Sequence, residues 1–201
     1  MTRTIAILGG SFNPVTNGHL AVANCVLKSI RDIECVYLMP ANKHMFGKEN
    51  EYWKNRLDLL KLVETDRIKV FTYEIDNNLN GSTYETMKML KSDPEYKDTN
   101  FLFIVGSDCL SNLHRWKNIK GLGELVDLVV VKREGFSIEP EDLSEQQKEA
   151  LFCFNKFIML DCATESFSST QVRKVLTSGG DISKMVPHKV FEAIHANLPS
   201  L

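Results

Sequence analysis

The sequence predicts an α/β fold built on a doubly wound parallel sheet, with a small C-terminal helical part. Three observations carry that expectation. Short apolar runs alternate with stretches of helical periodicity along the chain. The apolar runs are uninterrupted, as strands covered on both faces are. Glycine or proline stands directly after several of them, at Gly9-Gly10, Pro40 and Gly106.

Taken in order, Thr4–Leu8 reads as a buried strand ending in Gly9-Gly10. Leu20–Ile30 reads as a helix with Leu20, Ala23, Val26, Leu27 and Ile30 on one face. Cys35–Met39 is a second strand, stopped by Pro40. Tyr52–Val63 has Leu57, Leu60 and Val63 at helical spacing, and Ile68–Phe71 is a short strand. Thr83–Lys91 follows as a helix and Phe101–Val105 as a strand. Asp127–Val131 is the most hydrophobic strand, and Phe157–Leu160 a later one. The polar, acidic stretch Lys132–Gln147 reads as a surface loop. Ser169–Thr177 is a helix closed by Gly179-Gly180. Pro187–Leu198 is the last, with proline in its first turn. The architecture is Rossmann-like, and the expectation is a single domain over 1–201 with its helical part over about 165–201.

A chain of 201 residues that is 43% hydrophobic can bury a substantial core. Its net charge of −2 gives no overall attraction to nucleic acid or to an acidic membrane, so any anion must be bound locally. The five cysteines are widely spaced and form no CxxC, which speaks against a zinc site or a redox dithiol. Reduced thiols in a cytoplasmic setting fit that pattern. The apolar run Ile5–Leu8 is too short for a signal peptide, and no run is long enough to span a bilayer.

Ligands of such sheets sit beyond the carboxyl ends of the strands. Three polar signatures lie there: Gly9–His19, Pro40–Lys48 and Gly106–Asp108. In the first, glycines let phosphate approach the backbone, and Gly18-His19 sets an imidazole beside the free N–H groups of a helix start. Neither GxGxxG nor GxxxxGK[ST] is present. Far downstream, Ser168, Ser169 and Thr170 offer hydroxyls at another helix start, with Arg173 one turn along on the same side. The same residues would also serve as ordinary helix caps. Asp108 suits ribose hydroxyls or an N-cap, and Trp116 suits stacking on a heteroaromatic ring or partial core packing. Lys48 suits a second phosphate or plain solvent. His114, His188 and His195 show no metal-ligand spacing.

Together these segments resemble the nucleotidyltransferases with the (H/T)xGH signature, and among them the nicotinate or nicotinamide mononucleotide adenylyltransferases. Gly9–His19 is similar to the first signature, with Thr16 where many bacterial members have histidine. Ser82-Thr83-Tyr84-Glu85-Thr86 is similar to the substrate-side segment. Gly106-Ser107-Asp108-Cys109-Leu110 with Leu113 and Trp116 matches the GxDxL…L..W stretch, and Phe167–Arg173 the (I/F)SST..R signature. The Tyr52–Arg56 stretch departs from the common bacterial patterns.

The resemblance implies an enzyme that joins ATP to a pyridine mononucleotide, releasing pyrophosphate, in NAD biosynthesis. It implies His19 and Arg173 as the catalytic residues. Gly10, Ser11, Phe12, Thr16, His19, Gly106, Asp108, Phe167, Ser168, Ser169, Thr170 and Arg173 would bind ATP. Asn13, Lys48, Thr83, Thr86 and Trp116 would bind the mononucleotide, with Lys43 and His44 competing with Lys48 for its phosphate. Mg²⁺ would arrive with ATP rather than in a protein cage. The partners implied are these two nucleotides, with no nucleic acid and no membrane. These residues leave nicotinate against nicotinamide, and the oligomeric state, open. Two rivals stand beside this reading: another adenylyl or cytidylyl transferase, such as pantetheine-phosphate adenylyltransferase, and a non-catalytic nucleotide-binding protein. Trp116 and the SST..R pattern speak against the first, and intact His19 and Arg173 against the second.

Overall fold

The computed structural model describes residues 3–42, 55–162 and 167–197. Strands β1 (Thr4–Gly10), β2 (Ile33–Pro40), β3 (Ile68–Val70), β4 (Asn100–Gly106), β5 (Asp127–Val131) and β6 (Phe157–Leu160) form one sheet in the order β3-β2-β1-β4-β5-β6. Every neighbouring pair is parallel. The described helices are α1 (Asn17–Ser29), α2 (Arg56–Lys61), α3 (Tyr73–Asp76), α4 (Thr83–Ser92), α5 (Leu110–Leu113), α6 (Ile119–Leu125), α7 (Glu145–Leu151), α8 (Ser169–Thr177) and α9 (His188–Asn197). The chain winds outward from β1 through β2 to β3, then returns to β4 and winds the other way. That reversal opens a crevice between the carboxyl ends of β1 and β4.

The uninterrupted strands are buried on both faces, as their composition requires. Ile5, Ile7, Phe103, Val105, Leu128 and Val130 join a core that includes Met87 and Leu90 of α4, Leu110 and Leu113 of α5, and Leu122 of α6. Their neighbours Ala6, Leu8, Ile104, Val129 and Val131 join a second core with Val22 and Val26 of α1, Val172 of α8 and Val190 of α9. The period of two along each strand therefore sorts its side chains between two layers of helices. The C-terminal helices share the layer of α1, which is how the two ends of the chain meet.

The sequence expectations for the strands hold to within two residues at each end. Four differences have physical reasons. Helix α1 begins at Asn17, three residues before Leu20, because Thr16 caps it. Lys132–Gln147 is not wholly loop: Ser144 and Gln147 form a reciprocal capping box that starts α7 at Glu145. Helix α6 carries Gly121 and Gly123, which blunt any helical signal. A Cβ at Gly123 would overlap the Cys153 carbonyl, so the glycine permits a backbone contact that a propensity reading takes for a loop. The fourth concerns the cysteines, which are not all free thiols. Cys25 of α1 and Cys162, just past β6, form a disulfide with Cα atoms 6.2 Å apart. Of the expected helix Tyr52–Val63, the described part is α2, and residues 52–54 lie outside the described residues. Among the described residues no helix is long and apolar enough to cross a membrane.

Candidate active site

A cavity of about 790 Å³ occupies the crevice between β1 and β4. Its walls come from Leu8–Ser11, the start of α1, the start of α4, Phe103–Gly106, Asp108, Cys109, Asn112, Arg115–Lys117 and Arg133. Of the residues singled out in the sequence, Gly10, Ser11, His19, Thr83, Gly106, Asp108 and Trp116 line it.

His19 enters the site from the first turn of α1. Its ring is fixed by a reciprocal cap with Thr16. The backbone N–H of Thr16 donates to Nδ1 at 3.0 Å. A backbone N–H cannot rotate away, so Nδ1 must present its lone pair, which assigns the ring proton to Nε2. The Thr16 hydroxyl lies 2.8 Å from the same Nδ1 and 2.8 Å from the Phe167 carbonyl oxygen, two acceptors between which its single proton is shared. Burial lowers the His19 pKa to about 4, and the positive charge of Arg133 adds to the effect. The imidazole is thus neutral near pH 7 and offers one N–H. The Phe12 ring packs against it, with centroids 5.0 Å apart. Phe12 itself has φ 47°, a conformation that costs a non-glycine residue energy and is found where a loop must be aimed.

Helix α8 docks on this loop. Arg173 Nη1 donates to the Asn13 carbonyl at 2.6 Å, and Nη2 to the Thr170 hydroxyl at 3.2 Å. The Ser169 hydroxyl donates to the Pro14 carbonyl at 2.9 Å. Ser168 caps the helix, exchanging bonds with Gln171. The two signatures, separated by most of the chain, are therefore one structural unit. Phe167, Ser168, Ser169, Thr170 and Arg173 sit beside the His19 loop rather than in the cavity wall. Phe12, Asn13, Thr16 and Thr86 are each at most 7% exposed and stand behind that wall. Lys48, with its rivals Lys43 and His44, lies outside the described residues.

On the far side, Asp108 follows β4. Its Oδ2 accepts from Arg133 Nη1 at 3.0 Å, while Oδ1 is buried with no hydrogen-bond partner. Arg133, two residues past β5, also anchors its backbone N–H on the Ser107 hydroxyl at 2.9 Å. Gly106 leaves the space this pair occupies: a Cβ there would press on Oδ1 of Asp108 and come within 2.6 Å of Arg133 Cδ. Trp116 stands on Phe103 edge to face, centroids 5.9 Å apart, so its ring is braced at the cavity wall. At the start of α4, Ser82 makes no side-chain cap, and its buried Oγ has no partner. Among the described residues no group of three His, Cys, Asp or Glu side chains could hold a metal ion.

Sequence reasoning missed Arg133, Arg56 and Glu74. Arg133 was findable, since it follows a strand on the ligand edge of the sheet. Arg56 and Glu74 carry no local signal. Each reads as a solvated charge, and only the fold buries them, to 1% and 4% exposure.

A parallel sheet reversing at β1 and β4, with a neutral histidine, a docked arginine helix and an unpaired carboxylate oxygen at the crevice, defines a Rossmann-like nucleotide-binding protein. Residues 7–175 match the cytidylyltransferase-like family. The probable nicotinate-nucleotide adenylyltransferase of Clostridium tetani is 32% identical over 192 residues, 94% of each chain. That of Clostridium botulinum strain Okra is 32% identical over 197 residues, 96% of each chain. The Plasmodium falciparum nicotinic acid mononucleotide adenylyltransferase complexed with NaAD superposes with a TM-score of 0.74 at 22% identity, covering 98% of this chain and 97% of that one. Its APC complex gives 0.73 at the same 22% identity, covering 98% and 96%. At that identity the likeness is one of fold. The chain belongs to the cytidylyltransferase-like family and, within it, to the nicotinate-nucleotide adenylyltransferases.

Proposed function

We propose that this chain transfers the adenylyl group of ATP to nicotinate mononucleotide, giving the dinucleotide and pyrophosphate in NAD biosynthesis. The observation that carries the reading is the fixed neutral His19 between the glycine loop and the Arg173 helix, in a chain aligned nearly end to end with its named relatives.

In this mechanism a phosphate oxygen of the mononucleotide attacks the α-phosphorus of ATP, the bond to the β-phosphate oxygen breaks, and pyrophosphate leaves. No protein nucleophile takes part. The chain positions the reactants and stabilises charge. The Nε2–H of His19 donates to the triphosphate, as does the backbone N–H of Gly18 in the first turn of α1. Arg173 adds its positive charge, and Ser168, Ser169, Thr170 and Phe167 hold α8 against the loop. Gly10, Ser11 and Phe12 shape the junction of the two substrates, and Thr16 acts by fixing His19. Gly106 and Asp108 take the adenosine ribose on the unpaired Oδ1. Trp116 stacks on the pyridine ring, with Asn13, Thr83 and Thr86 shaping that end and Lys48 assigned to the mononucleotide phosphate. Mg²⁺ enters as part of the substrate, bound to the ATP phosphates. One domain over 1–201 does this work, in the cytoplasm.

The nicotinate preference is supported by the start of α4. Its free amides and the partnerless Ser82 Oγ offer donors to an anion, and nicotinate carries a carboxylate where nicotinamide has a neutral amide. The test is incubation with ATP, Mg²⁺ and either mononucleotide, measuring dinucleotide and pyrophosphate. Product from nicotinate mononucleotide in excess supports the reading. Equal rates would remove the preference, and no product from either would remove the activity.

A further inference from the structure

Arg56 is 1% exposed, an extreme degree of burial for a guanidinium. It lies at the start of α2 and reaches under the cavity floor. Nη1 donates to the Ser11 carbonyl at 2.8 Å, and Nη2 to the Ala41 carbonyl at 2.5 Å. It thereby joins the chain just past β1 to the chain just past β2. Burial lowers its pKa to about 10, and the negative charge of Glu74 opposes that shift.

Glu74, on α3, is 4% exposed and forms part of the cavity wall. Its Oε2 accepts the backbone N–H of Asn42 at 3.2 Å, and Oε1 accepts the Thr86 hydroxyl at 2.8 Å. Asn42 is held in turn by the Leu79 carbonyl at 2.9 Å. Two buried charges of opposite sign thus hold four segments: the glycine loop, the end of β2, α3 and the first turns of α4. All four contribute to the cavity wall, through Ser11, Ala41, Glu74 and Thr83. Burying such charges has a large desolvation cost, and a surface of hydrogen-bonding loops has cheaper ways to close.

We propose that Arg56 and Glu74 are positioning residues for the mononucleotide half of the site, setting the start of α4 and the chain after β2 where the second substrate binds. The inference rests on the adenylyltransferase reading above. The ATP half has its own supports in Arg173, Asp108 and Arg133, so disturbing Glu74 separates the two substrates kinetically. Arg56 touches Ser11 as well, so its loss is felt by both.

The experiment measures steady-state KM for each substrate in the wild type, Glu74→Gln, Arg56→Lys and Thr86→Val. Wild-type turnover tests the activity first, independently of the inference. Glu74→Gln keeps the shape but loses the charge and one acceptor. It is expected to raise the mononucleotide KM about tenfold or more while leaving the ATP KM within about twofold. Arg56→Lys keeps the charge but loses the fork, so both KM values rise by several-fold. Thr86→Val removes the hydroxyl that links Glu74 Oε1, at 2.8 Å, to the Ser82 carbonyl, at 3.1 Å, at the start of α4, and shifts the mononucleotide KM alone, by about threefold to tenfold. It serves as the decisive variant if Glu74→Gln does not fold. An active wild type whose variants leave both KM values unchanged, or in which Glu74→Gln or Thr86→Val raises both equally, would overturn the assignment.

Discussion

The backbone N–H of Thr16 donates to Nδ1 of His19 at 3.0 Å, which makes the active-site imidazole a neutral donor through Nε2. Protonating His19 would place a second proton in the path of that N–H. The folded-state pKa of about 4 lies below the ordinary value of 6.5, so the native state binds fewer protons than the unfolded chain between those values. The stability this contributes is complete above the unfolded pKa and is lost as pH falls towards the folded one. Wild-type unfolding free energy should therefore drop by about 2 kcal/mol more than that of His19→Asn between about pH 7 and pH 5. Urea unfolding at the two pH values checks it. Parallel losses in both proteins would show that His19 is not held neutral.

The same geometry sets the catalytic expectation. Loss of one donor aimed at developing charge lowers turnover by roughly 10²-fold to 10³-fold. His19→Ala should show that loss in kcat, with α1 still capped at its start by the Thr16 side chain. A Thr16→Val variant should show a smaller loss, since it keeps the backbone N–H to Nδ1 but releases the Phe167 carbonyl. Rapid-quench turnover measurements distinguish the two. Equal losses would mean that Thr16 does more than orient the ring.

Arg173 serves two masters, the Asn13 carbonyl at 2.6 Å and, in the proposed mechanism, the triphosphate. A lysine supplies charge but only a point donor, so it cannot hold loop and phosphate together. Arg173→Lys should raise the ATP KM by about tenfold. Thermal stability should change little, because Ser169 still bonds the Pro14 carbonyl. Kinetics beside a melting curve reads both, and an unchanged ATP KM would remove the arginine from the phosphate site.

Gly106 has an extended backbone with φ −76°, open to any residue, so its importance is one of space. An added methyl must displace Asp108 or Arg133, which pack over its α-carbon. Both are partly exposed side chains that can move, so the fold should survive Gly106→Ala while ATP binding weakens by about tenfold to hundredfold. Asp108→Asn, which keeps the shape and loses the charge, should fall at the lower end. Nucleotide titration by Trp116 fluorescence or calorimetry, with circular dichroism as the control, separates site from fold.

Much of this was legible because strands advertise themselves. Asp127–Val131 and Phe157–Leu160 were readable to the residue, since both are short apolar runs between polar ones. The meeting of Gly9–His19 with Phe167–Arg173 was legible from their shared phosphate-binding chemistry and from the resemblance; its physical cause is that α1, α8 and α9 share one helical layer. Helix α6 hid behind Gly121 and Gly123, whose role is close packing rather than propensity. Arg56 and Glu74 were illegible for a deeper reason. A charge in a local sequence pattern looks the same whether water or two carbonyls surround it, and only tertiary structure decides which.

The cysteines make the last test, because composition and structure disagree there. Cys25 and Cys162 are paired, leaving Cys35, Cys109 and Cys153 free. The link spans 137 positions and joins α1, which carries His19, to the segment past β6 that leads towards Phe167. Closing so long a loop restricts the unfolded chain by about 4 to 5 kcal/mol in the chain-entropy account, which for a chain of this size is roughly 10 °C in Tm. Thiol titration of denatured, unreduced protein should count the three free cysteines, and all five after reduction. Reduction should lower Tm, and Cys162→Ser should lower it equally without any reductant present. Five reactive thiols before reduction would return the chain to the free-thiol expectation. Three thiols with an unchanged Tm would mean that the α1–β6 junction is held by its packing, with the covalent link adding nothing to it.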